Sequence, residues 1–255
     1  MPASPRTRLD IRLVDQGLAP SRERARALIL AGRVSVNGTV VTKAGSPVAA
    51  DAGVEVSEPD FPWVGRGGVK LAHALDTFAI DVNGREALDI GASTGGFTDV
   101  LLRRGARRVV ALDVGHGQLD WTLRADPRVV VLEHRNARHL ELSWLPGPVD
   151  VVTIDVSFIS LRLILPALAP VLAAGADIVA LVKPQFEAGR GEVGRGGLVK
   201  DPAVHEAVIA RVTESGASLG LTRHGLTPSP ITGATGNQEF LIHLKPAASG
   251  GVTGA

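Results

Sequence analysis

The sequence predicts a two-domain α/β protein, in which a small basic α+β domain precedes a larger domain with a mostly parallel, Rossmann-like sheet. Short apolar runs alternate with helical patterns from residue 64 onward, and a glycine turn follows the first of these runs. Prolines and a change of pattern mark the boundary between the two parts. We therefore predict a first domain at 1–58, a linker at 59–63, a second domain at 64–246 and a disordered tail at 247–255.

The composition is that of an ordinary globular protein. Of its 255 residues, 45% are hydrophobic and 21% are charged, and the formal net charge is only +1. Residues 1–43 nevertheless carry eight basic and three acidic side chains, a local charge of +5. The absence of cysteine excludes disulfides, thiolate metal sites and a cysteine nucleophile. Because no apolar segment suits a signal peptide or a membrane span, we expect a cytoplasmic protein that requires neither a membrane nor a metal.

The first domain begins with two short helical patterns. Residues 8–18 and 22–31 are predicted as helices, and Ser21 has the chemistry of an N-cap for the second one. Alternating β-branched residues around Asn37-Gly38 then predict a two-residue β-hairpin. A further strand is predicted at 53–56, which completes a small α+β unit.

The second domain alternates strands with helices. Strands are predicted at 86–90, 108–113, 128–132, 149–154 and 177–182. Helices are predicted at 68–79, 96–104, 117–125, 160–173 and 202–215. Two last strands, at 219–228 and 237–244, have no helix between them, so we expect an antiparallel hairpin at one edge of a seven-stranded sheet.

The most specific local pattern is the turn D-I-G-A-S-T-G-G-F at 89–97, which ends a strand and opens a helix. Its spacing differs from the G-x-G-x-x-G of dinucleotide sites, and a turn with no diphosphate to hold suits the methionine part of S-adenosylmethionine. Asp113 ends the next strand, 22 residues after Gly91, where a ribose-binding carboxylate is expected. A tight turn in an ordinary α/β domain is the alternative. The residues expected to contact the cofactor are Gly91, Ala92, Ser93, Gly95, Gly96, Phe97, Asp113, Asn136 and Asp155.

Four polar residues of the second domain stand where a scaffold alone would not require them. Lys70 lies near the start of the first helix, and Glu239 opens the last strand. Asp155 and Lys183 each follow an apolar strand, at the carboxyl edge where open α/β sheets bind ligands. Taken singly, each has a structural alternative, such as a helix cap, a strand end or a surface ion pair.

Residues 6–56 resemble the S4 domain, an RNA-binding module of a small-subunit ribosomal protein, pseudouridine synthases and tyrosyl-tRNA synthetases. The resemblance rests on an arginine-rich helix followed by the hairpin V-S-V-N-G. It implies that Arg8, Arg22, Arg26 and Arg33 contact phosphates of a folded RNA, with salt-dependent and weakly sequence-specific binding. A solvated helix of mixed charge is the alternative.

Nearly the whole chain resembles the TlyA family, hemolysin-named proteins that methylate ribose 2′-hydroxyls of ribosomal RNA, with a catalytic domain similar to FtsJ-type ribose methyltransferases. The motifs that carry the resemblance are R-G-G-V-K-L at 66–71, D-I-G-A-S-T-G-G-F-T-D at 89–99, D-V-S-F-I-S at 155–160 and L-V-K-P-Q-F-E at 181–187. The family implies a class I S-adenosylmethionine-dependent fold. The family also implies that the substrates are cytidines of 16S and/or 23S ribosomal RNA, recognised within ribosomal subunits. Its Lys-Asp-Lys-Glu tetrad maps onto Lys70, Asp155, Lys183 and Glu239.

The tetrad suits this chemistry. A ribose 2′-hydroxyl is a weak nucleophile until it loses its proton, and methyl transfer is an in-line displacement that depends on positioning. Burial and the ammonium group of Lys70 favour a neutral Lys183 amine, whereas Asp155 favours the charged form and orients it. We therefore assign Lys183 as the general base, with Glu239 holding Lys70 or the ribose.

A Gly- and Arg-rich loop at 188–200 follows Lys183 and could close over the RNA. We expect Arg66, Arg190 and Arg195 to contact the RNA backbone near the catalytic residues. A flexible surface loop without a role in binding is the alternative.

Three other functions compete with ribose methylation. A base methyltransferase would more often carry an Asn-Pro-Pro-Tyr-like motif after the fourth strand, where this chain has D-V-S-F, and the chain has no tyrosine. A non-catalytic RNA-binding factor would not need the intact glycine turn and the four polar residues. A membrane-lysing hemolysin would need an amphipathic or spanning segment, which the sequence does not show. The sequence leaves open the target nucleotide, the choice between the two ribosomal RNAs and the oligomeric state.

Overall fold

The computed structural model describes residues 6–19, 21–30, 32–57, 61–189, 191–233 and 235–247. The chain divides into two compact units, Met1–Pro62 and Trp63–Ala255. Each unit has its own apolar core, so each is described separately below.

The first unit packs two helices against short antiparallel strands. Its elements are β1 (Arg6–Arg8), α1 (Leu9–Asp15), α2 (Arg22–Leu30), β2 (Val34–Val36), β3 (Thr39–Val40), β4 (Pro47–Ala49) and β5 (Val54–Val56). Strand β1 pairs with β4, and β2 lies between β3 and β5. Leu9, Leu13 and Ile29 are fully buried between the helices and the strands.

Turn chemistry explains most of this unit. Asn37 and Gly38 have φ values of 50° and 77°, the two positive values that a type I′ hairpin requires, as the Asn-Gly pair predicts. The Ser21 hydroxyl accepts a hydrogen bond from the backbone of Arg24 at 3.2 Å, which confirms the predicted N-cap. Strands β1 and β4 were missed because three residues are too few to show a period.

The second unit holds a seven-stranded sheet with strand order β11-β12-β10-β9-β6-β7-β8. Its elements are α3 (Gly67–Thr77), β6 (Glu86–Ile90), α4 (Gly96–Arg103), β7 (Arg108–Leu112), α5 (Trp121–Arg124), β8 (Val129–Leu132), β9 (Val149–Ile154), β10 (Leu172–Val182), α6 (Pro184–Glu187), α7 (Pro202–Ser218), β11 (Leu221–Pro228) and β12 (Phe240–Pro246). Strands β6 to β10 are parallel, whereas β12 runs antiparallel to β10 and to β11. The predicted fold class, with its terminal hairpin, is confirmed.

Packing on both faces of the sheet explains the apolar strands. Along β6, Ala87 faces one core and Leu88 the other, and both are buried. Helix α7 begins as predicted, with Asp201 accepting a hydrogen bond from the backbone of Ala203 at 2.9 Å and Pro202 in the first turn. Because β6, β7, β9 and β10 are parallel, their carboxyl ends meet at one edge of the sheet.

The predicted helix at 160–173 is wrong. The segment forms three 3₁₀ turns, at Leu161–Leu163, Leu165–Ala167 and Ala169–Val171. Pro166 and Pro170 explain the difference, because proline lacks the donor that an α-helix needs and clashes with the preceding turn. Helix α5 is likewise shorter than the predicted 117–125, since Asp120 caps it only at that point.

Two residues that were predicted to lie outside the second domain contact its ordered elements. Trp63, assigned to the linker, packs on the start of α3, where a Cβ atom at Gly68 would lie 2.6 Å from its Cγ. Ala247, assigned to the tail, donates a backbone hydrogen bond to Gly220 at 2.7 Å. The remainder of that predicted tail, 248–255, lies outside the described residues.

Candidate active site

The four predicted catalytic residues form two ion pairs at the carboxyl edge of the sheet. Lys70 Nζ lies 2.6 Å from Glu239 Oε2, and Lys183 Nζ lies 2.6 Å from Asp155 Oδ1. The four side chains are only 2–22% exposed. A Cβ atom on Gly67, one helical turn before Lys70, would lie 3.9 Å from Asp155 Oδ2, so the start of α3 adjoins the second pair. Charged groups drawn out of water in this way interact strongly and hold each other in place.

The Lys183 amine has a second partner. It donates a hydrogen bond to the Ser157 hydroxyl at 3.0 Å. Its contact with Asp155 is a close ion pair outside hydrogen-bond angles, so Asp155 Oδ1 is a buried oxygen with no hydrogen-bond partner among the described residues. Lys183 is thus oriented by two groups from the loop after β9, the Asp155 carboxylate and the Ser157 hydroxyl.

A cavity of about 570 Å³ opens at the same edge of the sheet. Apolar side chains form much of its wall, among them Leu112 at the end of β7 and Ile159 and Ile164 from the segment after β9. Its size and its mixture of apolar wall with a few polar groups are typical of a small-molecule site. The predicted cofactor residues that line it are Gly91, Ser93, Asp113, Asn136 and Asp155.

A second cavity of about 200 Å³ adjoins the first and contains the Lys183 side chain in its wall. The two cavities share Gly91, Ser93, Asp155 and Ser157. The predicted cofactor residues that line the smaller cavity are Gly91, Ala92, Ser93, Gly96, Phe97 and Asp155. Asp155 therefore lies between the two cavities, and its partner Lys183 lines the smaller one.

Asp113 holds the glycine turn in place. Its carboxylate accepts backbone hydrogen bonds from Ser93 at 2.8 Å and from Gly115 at 2.7 Å. The Ser93 hydroxyl in turn donates to Gln118 at 3.3 Å. Asn136 lines the same cavity and begins a 3₁₀ turn, whose backbone donates to its Oδ1 at 3.0 Å. Both side chains can thus fix the rim of the cavity and still present further acceptor or donor groups to a ligand.

Glycines are required in this turn for space as well as for conformation. Gly91 has a φ of 83°, and a Cβ atom there would lie 2.4 Å from the Asp155 carbonyl oxygen. A Cβ atom on Gly96 would lie 2.9 Å from backbone at the start of α3. Gly95 has a φ of 97°, and its Cβ position faces Leu123 rather than the smaller cavity, so its part in the turn is structural.

Asp89 is a buried acidic residue beside the site, and its burial was not predicted from the sequence, although it opens the glycine motif. It is fully buried at the end of β6 and accepts hydrogen bonds from the hydroxyls of Thr98 at 2.7 Å and Thr153 at 3.1 Å. Burial raises the pKa of Asp89 to about 7, and the negative charge of Asp155 adds to this effect. An acidic residue at a buried strand end was the signal that could have identified it.

Asp89 predicts that the stability of the second unit depends on pH. Because its pKa is about 7 in the folded chain and near 4 in an unfolded chain, the folded state binds this proton more tightly. The resulting stabilisation is complete below about pH 4 and is lost as the pH rises to about 7, a loss of at most about 4 kcal/mol. We expect the unfolding free energy of Asp89→Asn to fall less between pH 5 and pH 8 than that of the parent chain.

Urea denaturation followed by tryptophan fluorescence measures this difference, because Trp63, Trp121 and Trp144 all belong to the second unit. Burial also raises the pKa of Glu187, but that contribution is common to both proteins and cancels in the comparison. Parallel pH profiles for the two proteins would show that Asp89 is already ionised in the folded state.

Two further residues escaped sequence analysis. Phe158 lines the larger cavity, is 91% exposed and has a φ of 63°. The centre of its ring lies 5.1 Å from that of the Phe186 ring. Asn237 is buried and joins the loop before α7 to the segment just before β12, which contains Glu239. Its Oδ1 accepts from the backbone of Val199, and its amide donates to Gly197, both at 2.8 Å. An exposed aromatic residue held at a positive φ and a buried amide are features that only the tertiary structure reveals.

The predicted RNA-binding arginines fall into two groups. In the first unit, Arg8, Arg22 and Arg26 surround the carboxylate of Asp10, and the Arg33 guanidinium lies 4.8 Å from the centre of the Phe61 ring. In the second unit, Arg66 and Arg195 are both exposed, and Arg66 donates to the Thr232 carbonyl at 3.4 Å. Arg190 lies outside the described residues.

Among the described residues, no helix is long and apolar enough to cross a membrane. The same residues contain no cluster of three or more His, Cys, Asp or Glu side chains suited to a metal ion.

Comparisons with known proteins agree with this geometry. Residues 63–246 match the FtsJ-like methyltransferase family, and residues 7–54 match the S4 domain. The chain is 49% identical to the 16S/23S rRNA (cytidine-2′-O)-methyltransferase TlyA of Mycobacterium tuberculosis, over 94% of this chain and 90% of that protein. It is 32% identical to the 23S rRNA (cytidine-2′-O)-methyltransferase TlyA of Campylobacter jejuni, over 71% and 70% of the two chains.

A solved structure shows the same likeness. A hemolysin-named protein from Streptococcus thermophilus superposes with a TM-score of 0.76 at 45% identity, and the match covers 97% of this chain and 90% of that one. The family models together cover both units, and the curated relatives are matched over most of their length. The chain therefore belongs to the TlyA family, with an S4 domain followed by an FtsJ-like methyltransferase domain.

Proposed function

We propose that this protein transfers a methyl group from S-adenosylmethionine to the 2′-hydroxyl of a cytidine ribose in ribosomal RNA. The observation that carries the proposal is the Lys183–Asp155 ion pair. Asp155 lies in the wall shared by two adjoining cavities, and Lys183 lines the smaller one. A buried amine in that place can meet a hydroxyl brought from one side while a small molecule lies on the other. The names of the relatives from Mycobacterium tuberculosis and Campylobacter jejuni support the choice of cytidine and of ribosomal RNA.

The residues of the larger cavity fit S-adenosylmethionine. Asp113 offers carboxylate oxygens to ribose hydroxyls, and Asn136 offers an amide to the adenine edge. Gly91 leaves the turn free of a side chain where the backbone must lie close to Asp155. When bound, the cofactor supplies an electrophilic methyl group on a positively charged sulfur.

The protein's own residues prepare the hydroxyl. In our proposal, the neutral amine of Lys183 accepts the 2′-hydroxyl proton. The hydroxyl oxygen would then take the methyl group as the bond between the methyl carbon and the cofactor sulfur breaks, which would release the cofactor as a neutral thioether. Ser157 and Asp155 aim the amine, and Asp155 stabilises the ammonium group that forms. Glu239 fixes Lys70 through an ion pair of 2.6 Å, so that these two side chains keep one arrangement at the same edge of the sheet.

Neither the S4 domain nor the methyltransferase domain indicates by itself whether the substrate is 16S or 23S ribosomal RNA. One relative is named for both 16S and 23S RNA and another for 23S RNA only, so we propose 16S and/or 23S RNA as the substrate. The S4 domain supports recognition of a folded RNA, and ribosomal subunits are the corresponding partner.

Nuclease digestion and mass spectrometry of ribosomal RNA test the proposal directly. One experiment compares ribosomal RNA from cells with and without the gene. A second examines unmodified subunits after incubation with the purified protein and S-adenosylmethionine. We expect one or more cytidines that carry a 2′-O-methyl group only when the protein is present. A new methyl group on a base would overturn the ribose assignment, and binding of RNA without any methylation would indicate a non-catalytic factor.

Phe158 predicts a loss of RNA recognition upon truncation. An aromatic ring exposed at the mouth of the cavity provides a face on which the target base can stack, and such stacking contributes about 1–3 kcal/mol per base. We expect Phe158→Ala to lower kcat/KM for the RNA by about tenfold to hundredfold. Because Phe158 also lines the larger cavity, affinity for S-adenosylmethionine is measured separately. Phe158→Trp should retain activity.

Leu219→Ala is the matched control for Phe158, because it also truncates an exposed apolar side chain, at the end of α7. Methylation at the parent rate by both truncated variants would show that Phe158 does not contact the substrate.

A further inference from the structure

Asp10 occupies an unusual position in the first unit, because a fully buried carboxylate lies at the centre of three arginines. Arg8 donates to both carboxylate oxygens through Nε and Nη2, each at 2.9 Å. Arg22 Nη2 lies 3.2 Å and Arg26 Nε 3.4 Å from Asp10 Oδ2. The backbone of Ile11 donates to the other oxygen at 3.1 Å.

The three arginines remain open to solvent while the carboxylate does not. Their side chains are 46%, 51% and 54% exposed, against 0% for Asp10. They come from different elements, since Arg8 ends β1 and the other two lie one turn apart on α2. Three guanidinium groups share one carboxylate, so the cluster has a net charge of +2 and keeps many N–H donors directed away from Asp10.

Such an arrangement lowers the cost of binding an anion. A free arginine side chain loses about 2 kcal/mol of rotamer entropy when a ligand immobilises it. Here a bidentate hydrogen bond and two ion pairs already restrict all three side chains. Binding energy is then used for contacts rather than for ordering.

We propose that Asp10 is a positioning residue that holds Arg8, Arg22 and Arg26 as one preorganised site for the backbone phosphates of a folded RNA. The inference rests on the proposed RNA substrate but goes beyond it. It assigns the site to three side chains from two elements instead of one helix face. It also gives an acidic residue a favourable part in binding a polyanion.

The proposal is tested by whether removal of one negative charge strengthens or weakens RNA binding. Long-range electrostatics alone predicts that any acidic-to-neutral change in this unit strengthens RNA binding. If Asp10 positions the three arginines, removal of its charge should instead weaken RNA binding. We expect Asp10→Asn to weaken binding of the full chain to deproteinised 16S and 23S ribosomal RNA by about tenfold, and to reduce the slope of log affinity against log salt.

Asp15→Asn is the matched control, because it makes the same charge change at an exposed position at the end of α1. We expect this variant to bind the RNA as tightly as the parent chain or more tightly. Equal or tighter binding by Asp10→Asn, relative to Asp15→Asn, would overturn the positioning role. Failure of the parent chain to bind either RNA would instead contradict the proposed substrate.

A second variant keeps the test decisive if Asp10→Asn disturbs the first unit, which circular dichroism would detect. Arg8→Lys retains the positive charge and leaves Asp10 with a cationic partner, but it loses the bidentate contact. We expect it to weaken RNA binding about fivefold or more and to add no further loss in the Asp10→Asn background. Binding of Arg8→Lys within twofold of the parent would contradict the preorganised site.

Discussion

Lys183→Ala is expected to lower the rate constant for methyl transfer by about 10²–10⁴-fold, the usual contribution of a general base. The variant removes the only amine that contacts both Ser157 and Asp155 in the described part of the site. It leaves the wall of the larger cavity intact, since Lys183 lines only the smaller of the two cavities. Affinity for S-adenosylmethionine, measured by calorimetry, should therefore stay close to that of the parent chain.

Lys183→Arg separates proton transfer from fixed charge. A guanidinium keeps its proton at any working pH, yet it can still pair with Asp155. If Lys183 accepts the hydroxyl proton, the arginine variant should be about as inactive as the alanine variant in single-turnover methylation of ribosomal RNA. Activity of Lys183→Arg within tenfold of the parent would mean that the residue acts through its charge, and the general-base assignment would fall.

The strand-end residues were predictable because their signals are local. Apolar runs followed by a polar residue identified Asp113, Asp155 and Lys183, and a parallel sheet brings such ends to one edge. The pairing of Lys70 with Glu239 is different, since these residues are 169 positions apart. No spacing rule joins them. A surface ion pair between them was a structural alternative, and the resemblance to a family suggested that they act together in catalysis.

The features that escaped prediction depend on tertiary contacts. Asp10 and Asp89 were missed because their importance lies in complete burial, which a single sequence does not reveal for an acidic residue. Phe158 owes its exposure to a positive φ in the loop after β9. The segment 160–173 has the apolar spacing of a helix, but its prolines prevent α-helical hydrogen bonding. It buries its apolar face as a series of 3₁₀ turns instead.

Asp177→Asn is expected to destabilise the second unit by about 3–5 kcal/mol, because it removes the buried carboxylate that partly buried cations share. Asp177 is 6% exposed in β10. Its carboxylate lies 2.7 Å from Arg85 Nη1, 2.7 Å from His243 Nε2 and 3.0 Å from Lys245 Nζ. Burial alone would raise the pKa of Asp177, but hydrogen bonds from these three side chains outweigh it and hold the pKa well below its usual value.

The pH dependence of this cluster has the opposite sign to that of Asp89. A lowered pKa means that the stabilisation is complete above about pH 4 and is lost as the pH falls further. The parent chain should therefore lose stability on acidification below about pH 4, and Asp177→Asn should lose less. Urea denaturation followed by tryptophan fluorescence, at neutral and acidic pH, measures both the loss and its pH dependence.

Asp76→Asn provides the control, because Asp76 and Arg104 also lie 2.7 Å apart, with side chains 62% and 43% exposed. Solvent screens that pair, so its removal should cost less than about 1 kcal/mol. Asp177 lies six residues before Lys183, or about 20 Å along the strand, so affinity for S-adenosylmethionine should survive its substitution under conditions where the unit stays folded. Equal destabilisation by the two substitutions would show that burial of Asp177 does not strengthen its ion pairs, and that the sheet is held by its apolar faces alone.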